Sequence, residues 1–152
     1  MNESAIRKVM SAACDCAMVM LETADYIQAE LPNVQIGKTL QSRVEKVCSA
    51  LIGTKHDVIS ELSEIDDLLR PGGESSSEIA SRLNRIIRWL WEDVSRMHEL
   101  VKALDSAKKR NPAFALTYVL VAESATNVLN ACNRTTAAAD CLKNEKNETP
   151  DA

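Results

Sequence analysis

In four successive stretches of this chain, each near thirty residues long, apolar side chains recur three or four positions apart. That period lines up one face of an α-helix, and no other feature of the sequence restricts the fold so strongly. The first stretch, residues 4–31, carries Ile6, Val9, Met10, Ala13, Cys16, Ala17, Met20, Ala24, Ile27 and Leu31 before Pro32 ends it. The second, 38–69, carries Leu40, Val44, Val47, Leu51, Val58, Leu62, Ile65 and Leu69. Gly53 in its middle costs roughly 1 kcal/mol against alanine, which leaves room for a kink or break near Gly53-Thr54.

Arg70-Pro71-Gly72-Gly73 is the strongest turn signal in the chain. The third stretch, 76–109, follows it with Ile79, Leu83, Ile86, Leu90, Val94, Met97, Val101 and Leu104. Ser75 and Glu78 have the spacing at which each side chain bonds the other's backbone N–H. Lys108, Lys109 and Arg110 suit the negative end of the helix. Asn111-Pro112 then reads as a cap followed by proline at the first helical position. The fourth stretch, 112–142, carries Phe114, Tyr118, Val121, Ala125, Val128, Cys132 and Ala139.

A helix of this length spans about 45 Å. Matched lengths, short links and one apolar stripe per helix predict an all-α, up-down-up-down four-helix bundle with long helices, as a single domain over residues 1–142. A dimer sharing a larger core is the structural alternative. The charged segment from Lys143 to Ala152 is expected to be a disordered tail. With only four glycines, four prolines and 3% aromatics, the turn signals that short strands require are missing.

A net charge of −4 makes a nucleic-acid partner an unfavourable expectation, because such affinity comes mainly from neutralising phosphates. No run of 18 uninterrupted apolar residues occurs, so no membrane span is expected. Arg7, Lys8, Ser11 and Asp15 break the apolar stretch that a signal peptide needs. The expected location is the cytoplasm, where the five cysteines are reduced thiols.

Few arrangements carry chemistry. Cys14-Asp15-Cys16 is tighter than the two to four intervening residues of a zinc pair. The three residues preceding His56 and His98 begin at Gly53 and Ser95, so the Glu-x-x-His pairs of a di-iron bundle are absent. His98 sits at the boundary of its helix's stripe, and the Leu100-Val101-Lys102 that follows departs from the phosphotransfer pattern of leucine, lysine and a small residue. Arg96 lies too close to His98 for the helical ribonuclease spacing. No nucleophile-base arrangement and no glycine-rich phosphate loop is present, and no cofactor is expected.

The segment Arg82-Leu83-Asn84-Arg85-Ile86-Ile87-Arg88-Trp89-Leu90-Trp91 is the most informative. With the stripe centred near Leu90, Trp89 and Trp91 fall about 100° to either side, and a bundle core covers only a somewhat wider arc than that. At least one tryptophan then belongs at the rim, where this residue is enriched at interfaces. Trp89 and Trp91 with Arg82, Arg85, Arg88 and Arg96 are the candidate partner-binding residues. The competing expectation is internal pairing of the arginines with Asp57, Glu61, Glu64, Asp66 and Asp67 on the second helix. The C-terminal half of the fourth helix is rich in small polar residues, which would suit a loosely filled, ligand-holding end.

The function expected from these residues is that of a non-enzymatic helical bundle acting through protein–protein contact, as a homo-oligomeric small regulator or adaptor whose partner is a second copy. The alternative is a small-ligand- or metal-binding bundle that uses Cys14, Cys16, Cys48 and His56.

Overall fold

The computed structural model describes residues 2–30, 36–70 and 76–148, with side chains described to 144. Four long helices account for nearly all of them: α1 (Glu3–Glu30), α2 (Gly37–Leu68), α3 (Ser76–Arg110) and α4 (Ala115–Glu148). Each packs against its neighbour in sequence, and α4 closes the ring against α1, while α1 and α3 sit across the diagonal. The pairing is antiparallel throughout. Arg7 near the start of α1 meets Asp66 near the end of α2, and Arg82 early in α3 meets Glu61 late in α2. Lys108 late in α3 lies 3.9 Å from the ring centre of Tyr118 early in α4. Cys16 and Cys132 touch at the middles of α1 and α4. Thr135 further along α4 bonds Ala12 earlier in α1, and Glu123 early in α4 shares a groove with Tyr26 late in α1. The result is an all-α, up-down-up-down four-helix bundle.

The apolar stripes become one continuous core. Ile6, Met20, Ile27, Leu51, Ile65, Ile86, Leu90, Met97, Leu100 and Leu104 are fully buried in it. Burying a side chain of this size contributes about 1.5–3 kcal/mol, which makes the shared core the main source of stability. Several stripe assignments shift by one residue: Asp93, Thr117 and Ser124 are buried, and Val94, Tyr118 and Ala125 beside them are only half-buried. Leu100 is buried where Val101 was expected, and Val101 is only half-buried. Val47 likewise yields its place to Cys48.

α2 runs unbroken through Gly53, so no break occurs there. The intact hydrogen-bonded turns on either side and the flanking core residues Leu51 and Val58 outweigh the propensity cost of one glycine. α2 begins at Gly37, whose φ of +75° lies in the left-handed region that only glycine enters without strain. At the start of α1 the Asn2 side chain accepts the Ala5 N–H at 3.3 Å. Asn111 caps as its sequence context predicts, its Oδ1 accepting the Ala113 N–H at 3.1 Å. The chain then makes one 3₁₀ turn, Pro112–Phe114, before α4 proper begins three residues later than expected. α4 also continues to Glu148, so the segment expected to be a disordered tail from Lys143 is helical for its first six residues. Pro32, the Pro71-Gly72-Gly73 turn, Ser75 of the predicted capping pair and the last four residues lie outside the described residues.

Candidate functional site

The arginines of α3 are drawn into the bundle's own ion pairs. Arg82 donates to Glu61 at 3.0 Å and to Glu78 at 3.3 Å. Arg85 donates to the other oxygen of Glu61 at 3.3 Å. Glu61 therefore takes two arginines and is itself only 14% exposed, which strengthens the pairing relative to a surface pair. Arg96 bonds the buried Asp93 and stands 3.9 Å from Glu92, which Arg88 also approaches at 3.9 Å. Of the other acids expected beside this run, Asp66 pairs with Arg7 and Asp67 with Arg70. The two tryptophans do straddle the stripe. Both are half-buried against the core, and Trp91 donates its indole N–H to the Thr136 hydroxyl of α4 at 2.8 Å. Trp91 is thereby a seam residue between α3 and α4.

Cys14, Cys16, Cys48 and His56 are not brought together. Cys16 and Cys48 are buried, Cys14 is half-buried and His56 is exposed. Among the described residues no three His, Cys, Asp or Glu side chains converge in a way that could hold a metal ion. The reason is rotational: Cys14 and Cys16 are 200° apart around α1 at 100° per residue, so they leave the helix on different sides. Burial pushes the Cys48 thiol up to about 11, with a smaller contribution from Glu45.

Cys16 instead meets Cys132, with 3.5 Å between the sulfur atoms. Cys132 also donates to the Leu90 carbonyl at 3.5 Å. Thr135, one turn on, has a single hydroxyl proton, shared between the Ala12 carbonyl of α1 at 3.2 Å and its own Ala131 carbonyl at 3.1 Å. The Cys132 thiol is held above the usual range, first because two thiols in contact do not both ionise, and then because burial disfavours a thiolate.

The sequence reading missed Asp93. It is 0% exposed. One carboxylate oxygen accepts from Arg96, and the other, Oδ2, is buried with no hydrogen-bond partner among the described residues. The Thr54 hydroxyl of α2, which donates to the Ala50 carbonyl at 3.0 Å, lies close enough to pull the Asp93 pKa down, as does Arg96. Desolvation outweighs both and raises it. A signal was available: Asp93 stands three residues after Leu90 and four before Met97, inside the apolar stripe. Cys16, Thr54, Asp93, Cys132 and Thr135 form a polar layer to which all four helices contribute.

Exposed apolar residues are unevenly distributed. The large ones, Met18, Tyr26, Leu116, Val119 and Leu129, all belong to α1 and α4, with Leu116 77% exposed. Between these two helices runs a groove of about 550 Å³ lined by Val19, Glu22, Thr23, Tyr26, Glu123, Ser124, Asn127, Asn130 and Arg134. From Asn111 to Ala139, Glu123 and Arg134 are the only Asp, Glu, Lys or Arg. Neither has an ion-pair partner among the described residues. Although no long unbroken apolar run exists, Pro112–Asn144 is apolar enough, by length and composition, to meet the measure of a membrane-crossing helix, and less than a quarter of its most apolar window is buried.

No protein-family model, characterised protein or solved structure matches the chain.

Proposed function

We propose that this chain is a non-enzymatic bundle that works through protein–protein contact, as a small homo-oligomeric regulator or adaptor. The observation that carries this reading is that, among the described residues, the exposed large apolar side chains belong to α1 and α4. Monomeric proteins scatter such residues singly, and a cluster on one side marks a contact surface. The contact face suggested by Tyr26, Leu116 and Val119 is the α1–α4 side, whereas Leu129 is turned about 100° or more from the α4 residues that line the groove. The tryptophan-arginine edge of α3 is the weaker candidate, because its arginines have carboxylate partners and Trp91 has its hydrogen bond.

Native mass spectrometry of the untagged protein tests the reading. An assembly at an integral multiple of 16.7 kDa is the expected result. A bare monomer at micromolar concentration would count against self-association. A monomer retaining a small molecule would favour a ligand-holding bundle instead.

A further inference from the structure

We infer that the α1–α4 face docks a second copy of this chain by an antiparallel, two-fold pairing of α4 with α4. The inference rests on the reading of this face as a contact surface and adds the partner's register to it. Glu123, Asn127, Asn130 and Arg134 follow one another at spacings of four, three and four, so they form a single stripe along α4. All four are exposed and line the same groove. Glu123 and Arg134 are eleven residues apart, three helical turns or about 16 Å, and so share an outward direction.

Read backwards, the stripe is its own complement. A two-fold axis crossing α4 between Val128 and Leu129 sets Glu123 opposite the partner's Arg134 and Arg134 opposite the partner's Glu123. The same axis sets Asn127 opposite the partner's Asn130, where each amide offers a donor and an acceptor. An isologous interface uses every contact twice, so one complementary stripe supplies two ion pairs and two amide pairs. Thr126 and Asn133, also exposed, are small enough for two helices to approach closely. Glu22 of α1 lines the groove with Glu123, which adds a second carboxylate to the end that would receive the partner's Arg134. Leu116 and Val119, exposed on the same side of α4, continue the seam beyond the charged pair.

The experiment is a charge exchange read by sedimentation equilibrium on the full chain. Wild type should be a dimer. Glu123→Arg alone and Arg134→Glu alone should each weaken the dimer at least about a hundredfold in Kd, because each places like charges opposite one another at two related positions. The double exchange E123R/R134E should return it to within about tenfold of wild type. Far-UV circular dichroism confirms that each variant keeps its helices. A wild-type dimer that ignores the single reversals, or a double exchange that does not recover, overturns this register while leaving self-association standing. A wild-type monomer overturns both. A monomer that floats with phosphatidylcholine vesicles also overturns the proposal and gives the face to a lipid surface.

Discussion

The sulfur atoms of Cys16 and Cys132 lie 3.5 Å apart with no solvent exposure, where α1 crosses α4. The two residues are 116 positions apart in the chain, and their contact marks where the middle of the first helix lies against the middle of the last. They also head the polar layer that ends at Asp93.

Thiol reactivity should divide the five cysteines by environment. Cys141 is exposed and Cys14 half-buried, whereas Cys16, Cys48 and Cys132 are buried. Only a thiolate reacts. Burial holds Cys48 in the thiol form, and contact with Cys16 and then burial hold Cys132 so. Cys16, whose pKa the Cys132 contact lowers, is closed off from reagent by its complete burial. Titration of the native protein with a disulfide reagent at pH 8 should therefore label Cys141 fast and Cys14 more slowly. The three buried thiols should be labelled only after denaturant is added. Rapid native labelling of all five would contradict this packing.

Asp93 should make stability depend on pH in a direction opposite to that of a salt-bridged carboxylate. Its folded-state pKa is raised, chiefly by desolvation. Between the unfolded value of 3.8 and that higher value the folded state holds the extra proton. Its favourable contribution is thus fully present below the unfolded pKa and is lost as pH rises through the folded one. Asp93→Asn removes this dependence. Urea denaturation at pH 4 and pH 7 should show the variant gaining on wild type as pH rises. A constant difference between the two proteins would refute the assignment.

Trp91 and Thr136 join α3 to α4 by one hydrogen bond of 2.8 Å. Trp91→Phe keeps most of the ring and removes the donor, and should cost about 1 kcal/mol. A double-mutant cycle with Thr136→Val isolates the bond, with an expected coupling of about 0.5–1.5 kcal/mol. Coupling near zero would mean that the indole packs on α4 without bonding to it.

Gly53 is the position where the chain can be improved. It lies inside α2, and a Cβ built there meets nothing within 4 Å. Gly53→Ala should raise stability by about 0.5–1 kcal/mol by reducing the freedom of the unfolded chain. Thermal denaturation should show a rise of about 2 °C for a domain of this size. A fall would indicate that the apparent space is filled when α2 packs in solution.

Much of the fold was legible because helical periodicity is local. The stripes Ile6 to Ile27 and Ile79 to Leu104, the Asn111 cap and the basic end of α3 each depend on residues within a few turns of one another. The site was less legible. The arginine run was conspicuous in the sequence, yet its pairing with Glu61 depends on how far along α2 the third helix begins. Asp93 looked like one charge among many: its place within the apolar stripe of α3 was visible, but the groups it faces on the other helices, Thr54, Cys16 and Cys132, were not.

The sequence by itself determined four helices, their near-equal lengths and, to within about one residue's rotation, the face each turns inward, since these follow from a rotation of 100° per residue along each segment. Only the tertiary structure decided which residues meet. The axial offset and rotation of packed helices are set by the joint fit of all their side chains, and no one segment contains that information. That fit sets Cys16 against Cys132, closes Asp93 away from water, turns Trp91 onto Thr136 and leaves Glu123 and Arg134 exposed along the α1–α4 groove without an ion-pair partner among the described residues.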